Sequence, residues 1–195
     1  MKEDLLKTKS VSLPIALAVA AAVGITAGVI LSLNMDGGTL VSLCGTGQKL
    51  SLAGEGQWLT VFLGSFLGIA ALLLAAFFLG FSAIGQPAEL LLVAFRGLGL
   101  GVCVRGVYLS DDVLRSMAAF LPYAILSTGV LILSAKEAFC LSMRYLHLST
   151  TAENRLGLRN EVRDYTARFM IYIVLLAALA MADALLMKYV GVLSF

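Results

Sequence analysis

The sequence is poor in charge. Only 13% of its 195 residues are Asp, Glu, Lys or Arg, while 60% are hydrophobic; a soluble globular domain has about 25% charged residues. This balance predicts that residues 1–195 form a single integral membrane domain, because too little polar sequence remains outside the apolar segments for a soluble domain. The net charge of +2 is too small to indicate a nucleic-acid partner, and no long basic tract with interleaved aromatic residues occurs.

Residue types that carry catalytic or metal-binding chemistry are few. The single histidine, His147, has no second histidine to complete a metal pair, and we interpret it as an interfacial residue. The cysteines form no Cys-x-x-Cys pair, and two of them lie in apolar segments, where a thiol behaves as a small hydrophobe. They are Cys44, Cys103 and Cys140, and we assign them no disulfide and no metal.

Two further patterns fall short of a site. Gly97-x-Gly99-x-Gly101 does not complete the G-x-G-x-x-G fingerprint and lies in apolar sequence. Asp111 and Asp112 are adjacent and fall in a short turn, so we interpret them as a loop cap rather than as a cation site. The sequence therefore predicts no enzyme activity and no cofactor.

Five segments are predicted to cross the membrane. A spanning helix needs about 20 mostly apolar residues, and four segments meet this criterion without help: 11–33, 58–84, 117–135 and 169–187. The fifth, 87–109, is long enough but is interrupted by charge. The first segment follows three lysines and resembles a signal peptide, but its length fits an uncleaved anchor better than the apolar region of a signal peptide.

The distribution of basic residues predicts the orientation. Segment 136–168 holds six of them, whereas the two loops predicted to face outward hold only Lys49 and Arg115. Under the positive-inside rule, this arrangement predicts an all-α bundle of five spans with the N-terminus inside and the C-terminus outside. A model with four spans would place one basic segment on the wrong side, so the pattern favours a membrane crossing by 87–109.

Segment 136–168 is predicted to be a cytoplasmic amphipathic helical region. Lys136–Ser149 prolongs the fourth span as a helix, and Thr150 with Glu153 forms a capping box for a second helix. In that second helix, one face is apolar and includes Tyr165, whereas the other is basic. We interpret it as an interfacial helix whose basic face contacts anionic lipid headgroups or docks a cytoplasmic partner. The basic face consists of Arg155, Arg159 and Arg163.

Small residues recur at a spacing of four in three consecutive spans. This spacing lets helix backbones approach closely within lipid, where packing drives helix association. It predicts that these three spans meet in the bundle, or that one of them meets its copy in a homodimer. The pairs are Gly24 and Gly28, Gly64 and Gly68, and Gly97 and Gly101.

Four charges fall within the predicted spans. Arg96 lies roughly 13 Å from the cytoplasmic end of a continuous third helix at 1.5 Å per residue, where a charge costs about 3 kcal/mol, so it must face protein or water. Glu89 and Arg105 lie nearer the interfaces and can snorkel. Asp183 is expected to pair with Arg105 or Lys188. These charges either fix the bundle by buried pairing or line a polar pathway.

The third span and its neighbours contain a recognisable series of motifs. LGFSAIGQPAELLLVAFRGLGLG, a short turn and AAFLPYAIL combine a glycine-rich second span, an I-G-x-P turn, an apolar run that ends in a basic residue and glycine, and a later Leu-Pro. Over roughly 61–144 this series resembles the stage II sporulation protein M family of spore-forming Firmicutes. The matching positions are Ile84, Gly85, Pro87, Arg96, Gly97, Gly101, Leu121 and Pro122.

The resemblance implies a non-enzymatic membrane scaffold. In that family the protein anchors and positions two peptidoglycan hydrolases, stage II sporulation proteins D and P, at the septal and engulfing membranes. The alternative is a small transporter or channel subunit, because Arg96 lies at mid-depth in a glycine-rich helix. That alternative requires a water-accessible cavity beside Arg96, whereas a fully packed neighbourhood would argue against it.

Overall fold

The computed structural model describes residues 2–36, 57–82, 85–109, 113–150 and 155–192. These residues form five α-helices and no strand, which confirms the predicted all-helical fold. Each helix is long and apolar enough to cross a membrane. The helices are α1 (Lys2–Ser32), α2 (Trp58–Leu79), α3 (Gly85–Tyr108), α4 (Val113–Thr150) and α5 (Arg155–Val192).

Most helices differ in length from the predicted spans. Helix α2 ends at Leu79 instead of 84, whereas α4 and α5 have 38 residues each and extend far beyond 117–135 and 169–187. The difference has a simple cause: an apolar window finds the part of a helix that suits lipid, but a helix continues through polar sequence as long as its backbone bonds are kept. The apolar parts of α1, α4 and α5 are Leu13–Ser32, Val113–Arg144 and Val162–Tyr189.

The expected separate interfacial helix is absent from the described residues, because α5 runs unbroken from Arg155 to Val192. Its apolar face packs against the bundle instead of lying along a membrane surface. Tyr165 and Phe169 are 4% and 2% exposed, and both rings contact Phe77 of α2. The Tyr165 hydroxyl also donates a hydrogen bond of 3.0 Å to the Phe77 carbonyl oxygen. The capping box lies largely outside the described residues.

Contacts between helices fix their relative directions. Gly24 and Gly28 of α1 face Ala94 and Leu98 of α3 in the same order, so α1 and α3 are parallel. Helix α3 is antiparallel to α4, because its start lies against the end of α4 and its middle against the middle of α4. Helices α2 and α5 are antiparallel as well. Helix α3 therefore packs against both α1 and α4, which also contact each other.

Candidate functional site

Helix α3 packs against α1 through a glycine seam, formed by Gly24 and Gly28 of α1 and Gly97 and Gly101 of α3. A Cβ atom added to any of these glycines would overlap the backbone of the facing helix. Glycine is therefore required at each position by the close approach of the two backbones. The α1–α3 contact is the most extensive between any two described helices.

The opposite side of α3 borders a polar cavity of about 320 Å³, which lies among α2, α3, α4 and α5. Several apolar side chains and three glycines form part of its wall. The remaining lining residues bring ionisable or hydroxyl groups from all four helices into one space, although they are far apart in the chain. These polar lining residues are Ser65, Arg96, Cys103, Tyr123 and Asp183.

Arg96 reaches this cavity from the middle of α3. Its Nη2 atom donates a hydrogen bond of 3.3 Å to Ser127 Oγ of α4. Its Nε atom is buried and has no hydrogen-bond partner within the described ranges. Arg96 also lies close enough to Tyr123 and Cys103 for electrostatic interaction. The guanidinium group thus faces protein and the cavity, and it keeps an unused donor.

Asp183 of α5 lies on another wall of the cavity and is 2% exposed. Its carboxylate accepts a hydrogen bond of 2.8 Å from Ser65 Oγ of α2. The Tyr123 hydroxyl of α4 donates a hydrogen bond to the backbone carbonyl oxygen of the same serine. Ser65 therefore joins α2, α4 and α5 at the cavity, and the network satisfies part of the hydrogen-bonding capacity of a deeply buried acid.

The expected pairing of Asp183 with Arg105 or Lys188 is not what the structure shows. Arg105 is half-buried, and its Nη1 atom has no hydrogen-bond partner among the residues that the structure describes. Lys188 is exposed. Helix α3 does not unwind at its glycines, so Arg105 stays on a different face from Arg96. Asp183 turns instead toward the serine and the tyrosine of the cavity.

The glycine pair of α2 does not meet the other two pairs within the chain, whereas contact of this span with its copy in a homodimer stays a prediction. Gly64 and Gly68 are exposed, and a Cβ atom added to either would meet no atom within 4 Å. Both glycines line the polar cavity instead. Because they have no side chains, they leave this wall open, and the cavity reaches the surface of the bundle beside α2.

Glu89 also departs from its predicted place. It was expected to snorkel toward an interface, but its side chain is fully buried, and both carboxyl oxygens have no hydrogen-bond partner in the described part of the chain. The cause is the helical register of α3, which turns Gly85, Glu89 and Val93 into the bundle together. Tyr165 of α5 lies within electrostatic range of Glu89.

A smaller cavity of about 140 Å³ lies at the opposite end of α4 and α5. Arg168 and Glu137 line it and form an ion pair of 2.7 Å. Arg163 of the predicted basic face is exposed, and its Nε lies 4.0 Å from a carboxylate oxygen of Asp164. The side chains of Arg155 and Arg159 lie outside the described residues, as do those of Cys44, Asp111, Asp112 and His147.

Several groups at the polar cavity have no counterpart in the sequence-based prediction. Ser65, Tyr123 and Ser127 were not singled out, although each is a polar residue within an apolar span. Such residues mark functional or packing sites in membrane proteins, and that signal was available. Their contacts with Asp183 and Arg96 depend on helix rotation, which the sequence pattern does not specify. The described residues contain no group of three or more His, Cys, Asp or Glu that could hold a metal ion.

Comparisons with known proteins give no relative for this chain: no family model, no curated protein and no solved structure matches it.

Proposed function

We propose that this chain is a multi-pass membrane protein that binds a small polar solute in the cavity beside Arg96, as a transporter or channel subunit. One observation carries this proposal, namely a cavity of about 320 Å³ whose wall includes Arg96, Tyr123 and Asp183. The volume is within the range of about 300–1,000 Å³ that is typical of small-molecule sites. A mainly apolar wall with a few convergent polar groups is also typical of such sites.

The cost of burying charge supports this interpretation. Arg96 and Asp183 belong to helices that cross the bundle, and each is expensive to place in lipid. Charges that serve only to fix helices should be enclosed by partner side chains. Arg96 instead lines the polar cavity and has a single hydrogen-bond partner in the described segments, Ser127. A ligand that accepts hydrogen bonds from the guanidinium would offset its burial.

Thermal unfolding of the purified chain with a panel of small anions, amines, sugars and zwitterions tests solute binding. We expect at least one compound to raise the melting temperature of the wild type, because a ligand that binds only the native state stabilises it. Arg96→Leu should insert and fold but lose the response. Absence of any response in the wild type, or an equal response in Arg96→Leu, would contradict the proposal.

We also propose that the N-terminus lies inside and the C-terminus outside. The basic residues of segment 136–168 support this orientation, and the alternation of direction between the helices is consistent with termini on opposite sides. In this orientation the polar cavity lies in the outer half of the bundle, because Ser65 and Tyr123 are near the starts of α2 and α4. A reporter fused after residue 195 should be accessible from outside the cell, whereas access only from the cytoplasm would reverse the topology.

The motif series supports a second candidate function, which is a non-enzymatic scaffold like stage II sporulation protein M. We propose that in this role the chain holds the membrane anchors of peptidoglycan hydrolases resembling stage II sporulation proteins D and P, in the cell membrane at the septum. The exposed Gly64 and Gly68 would allow close approach of a partner helix. Co-purification with such hydrolases would support the scaffold, and a hydrolase that localises normally without this chain would rule it out.

A further inference from the structure

The polar cavity carries charges of opposite sign on two of its walls. Arg96 extends from α3, and Asp183 extends from α5. Asp183 is 2% exposed, so its carboxyl group has been carried into the bundle instead of being left at a surface. A ligand with one charge would complement only one of these two groups and would meet the other as a like charge.

The contacts around the two charges hold them apart on separate helices. Ser65 Oγ donates to the Asp183 carboxylate, and the Ser65 backbone carbonyl oxygen accepts a hydrogen bond from the Tyr123 hydroxyl, so α2 and α4 fix the acidic wall. Ser127 holds one guanidinium nitrogen of Arg96 on the basic wall. Tyr123 interacts electrostatically with both Asp183 and Arg96, so both charges lie within reach of one aromatic ring.

We propose that the ligand of the polar cavity is a small zwitterion, whose carboxylate or phosphate group binds Arg96 and whose amine faces Asp183. This inference rests on the proposed solute-binding function and specifies its ligand class. Such a ligand supplies one opposite charge for each wall and leaves the filled cavity without excess charge, which matters where uncompensated charge is costly. The anionic group would meet the part of the Arg96 side chain that lines the cavity.

Two sources could provide this chemistry. A free amino acid is a small soluble zwitterion, and the phosphoethanolamine headgroup of a lipid has the same two charges. The exposed Gly64 and Gly68 line the cavity, so a headgroup could also enter from the side of the bundle. The shared requirement is an anion and an amine within one small group.

The test measures the melting temperature of the full chain in nanodiscs of phosphatidylglycerol. The probes are glycine, β-alanine and γ-aminobutyrate, which differ in the distance between their charges. Each is compared with its matched acid (acetate, propionate or butyrate) and with ethylamine. A parallel sample without solute uses phosphatidylethanolamine nanodiscs. The variants are Arg96→Gln and Asp183→Asn; the latter keeps an oxygen that can accept the hydrogen bond from Ser65.

We expect one amino acid to stabilise the wild type at a concentration at least tenfold below that needed for the matched acid or amine. If the ligand is a lipid headgroup, we expect instead a higher melting temperature in phosphatidylethanolamine nanodiscs than in phosphatidylglycerol nanodiscs. Each variant should lose this preference, and Asp183→Asn should bind the matched acid as well as the amino acid. Equal stabilisation by acid and amino acid in the wild type would overturn the zwitterion assignment but leave solute binding intact. A lack of response to every zwitterion, with a response to another compound class, would also overturn it.

Discussion

The two faces of α3 differ in what lies against their small residues. At the glycine seam, Gly97 and Gly101 contact the backbone of α1 so closely that no side chain fits. On the opposite side, a Cβ atom added to the exposed Gly99 would meet no atom within 4 Å, and Gly99 borders the polar cavity together with Gly64 and Gly68 of α2. One helix therefore combines a packed face, which holds the bundle together, with an open face that carries Arg96.

This difference shows what a small-xxx-small spacing establishes. The spacing indicates how closely a neighbouring helix is able to approach, but it does not indicate that a neighbouring helix is present. At the glycine seam the approaching partner is another helix of the same chain. At the cavity the glycines leave room beside a charge, and we propose that a ligand in this room would offset the cost of the buried arginine.

The largest expected effect separates the two kinds of glycine by stability. Gly97→Ala places a Cβ atom onto the Ala21 carbonyl group, and we expect a loss of about 3 kcal/mol in the free energy of unfolding, as for an overpacked core. Gly68→Ala is the matched control and should be neutral or stabilising by up to about 1 kcal/mol, because alanine favours helix. Denaturant unfolding in mixed micelles measures both, and similar losses in the two variants would remove the distinction.

Filling the cavity should weaken binding without lowering stability. Gly68→Leu adds a side chain to an open wall of the polar cavity, and we expect ligand affinity to fall at least tenfold, which corresponds to about 1.4 kcal/mol. The free energy of unfolding should stay the same or rise by up to about 1 kcal/mol, because leucine, like alanine, favours helix. Thermal-shift titration gives the affinity. A Gly68→Leu variant that binds as tightly as the wild type would place the ligand elsewhere.

The hydroxyl of Tyr123 should contribute a smaller effect. Tyr123→Phe removes the hydrogen bond to the Ser65 carbonyl oxygen and should lower the free energy of unfolding by about 1 kcal/mol, the usual net value for one hydrogen bond. Tyr165→Phe removes the comparable bond to Phe77 far from the cavity and serves as the control. Only Tyr123→Phe should also weaken ligand binding; an equal loss of binding in both variants would point to a general structural effect.

The smallest effect is expected at the other end of the bundle. Arg168→Ala breaks the ion pair with Glu137, but the Arg168 side chain is 58% exposed, so the expected loss of stability is about 0.5 kcal/mol. Ligand binding at the polar cavity should be unchanged. Unfolding and binding titrations on this variant measure the effect of removing a charge that has no part in the site. A clear loss of binding would show that the two ends of the bundle are coupled.

The sequence was informative about some levels of structure and uninformative about others. Long apolar segments predict five helices, because a backbone in lipid must satisfy its own hydrogen bonds. The free-energy cost of a charge at mid-depth directs attention to Arg96, which contacts Ser127 and lines the cavity. The sequence pattern does not predict that Glu89 is buried or that Gly64 is exposed. Burial depends on the rotation of each helix about its axis and on which neighbours it meets. The network of Ser65, Tyr123 and Asp183 joins residues up to 118 positions apart, and no local pattern encodes it.

The central claim is that water and solutes reach the open face of α3, and Cys103 reports on it directly because this thiol lines the polar cavity. With Cys44 and Cys140 replaced by serine, we expect Cys103 in the reconstituted protein to react with a water-soluble methanethiosulfonate reagent. In the matched control, Cys103 is also replaced by serine, and a cysteine is introduced at Leu17, which is 0% exposed. The thiol at position 17 should stay unmodified. If Cys103 is as unreactive as the cysteine at position 17, the cavity is closed to water, and solute binding beside Arg96 is contradicted.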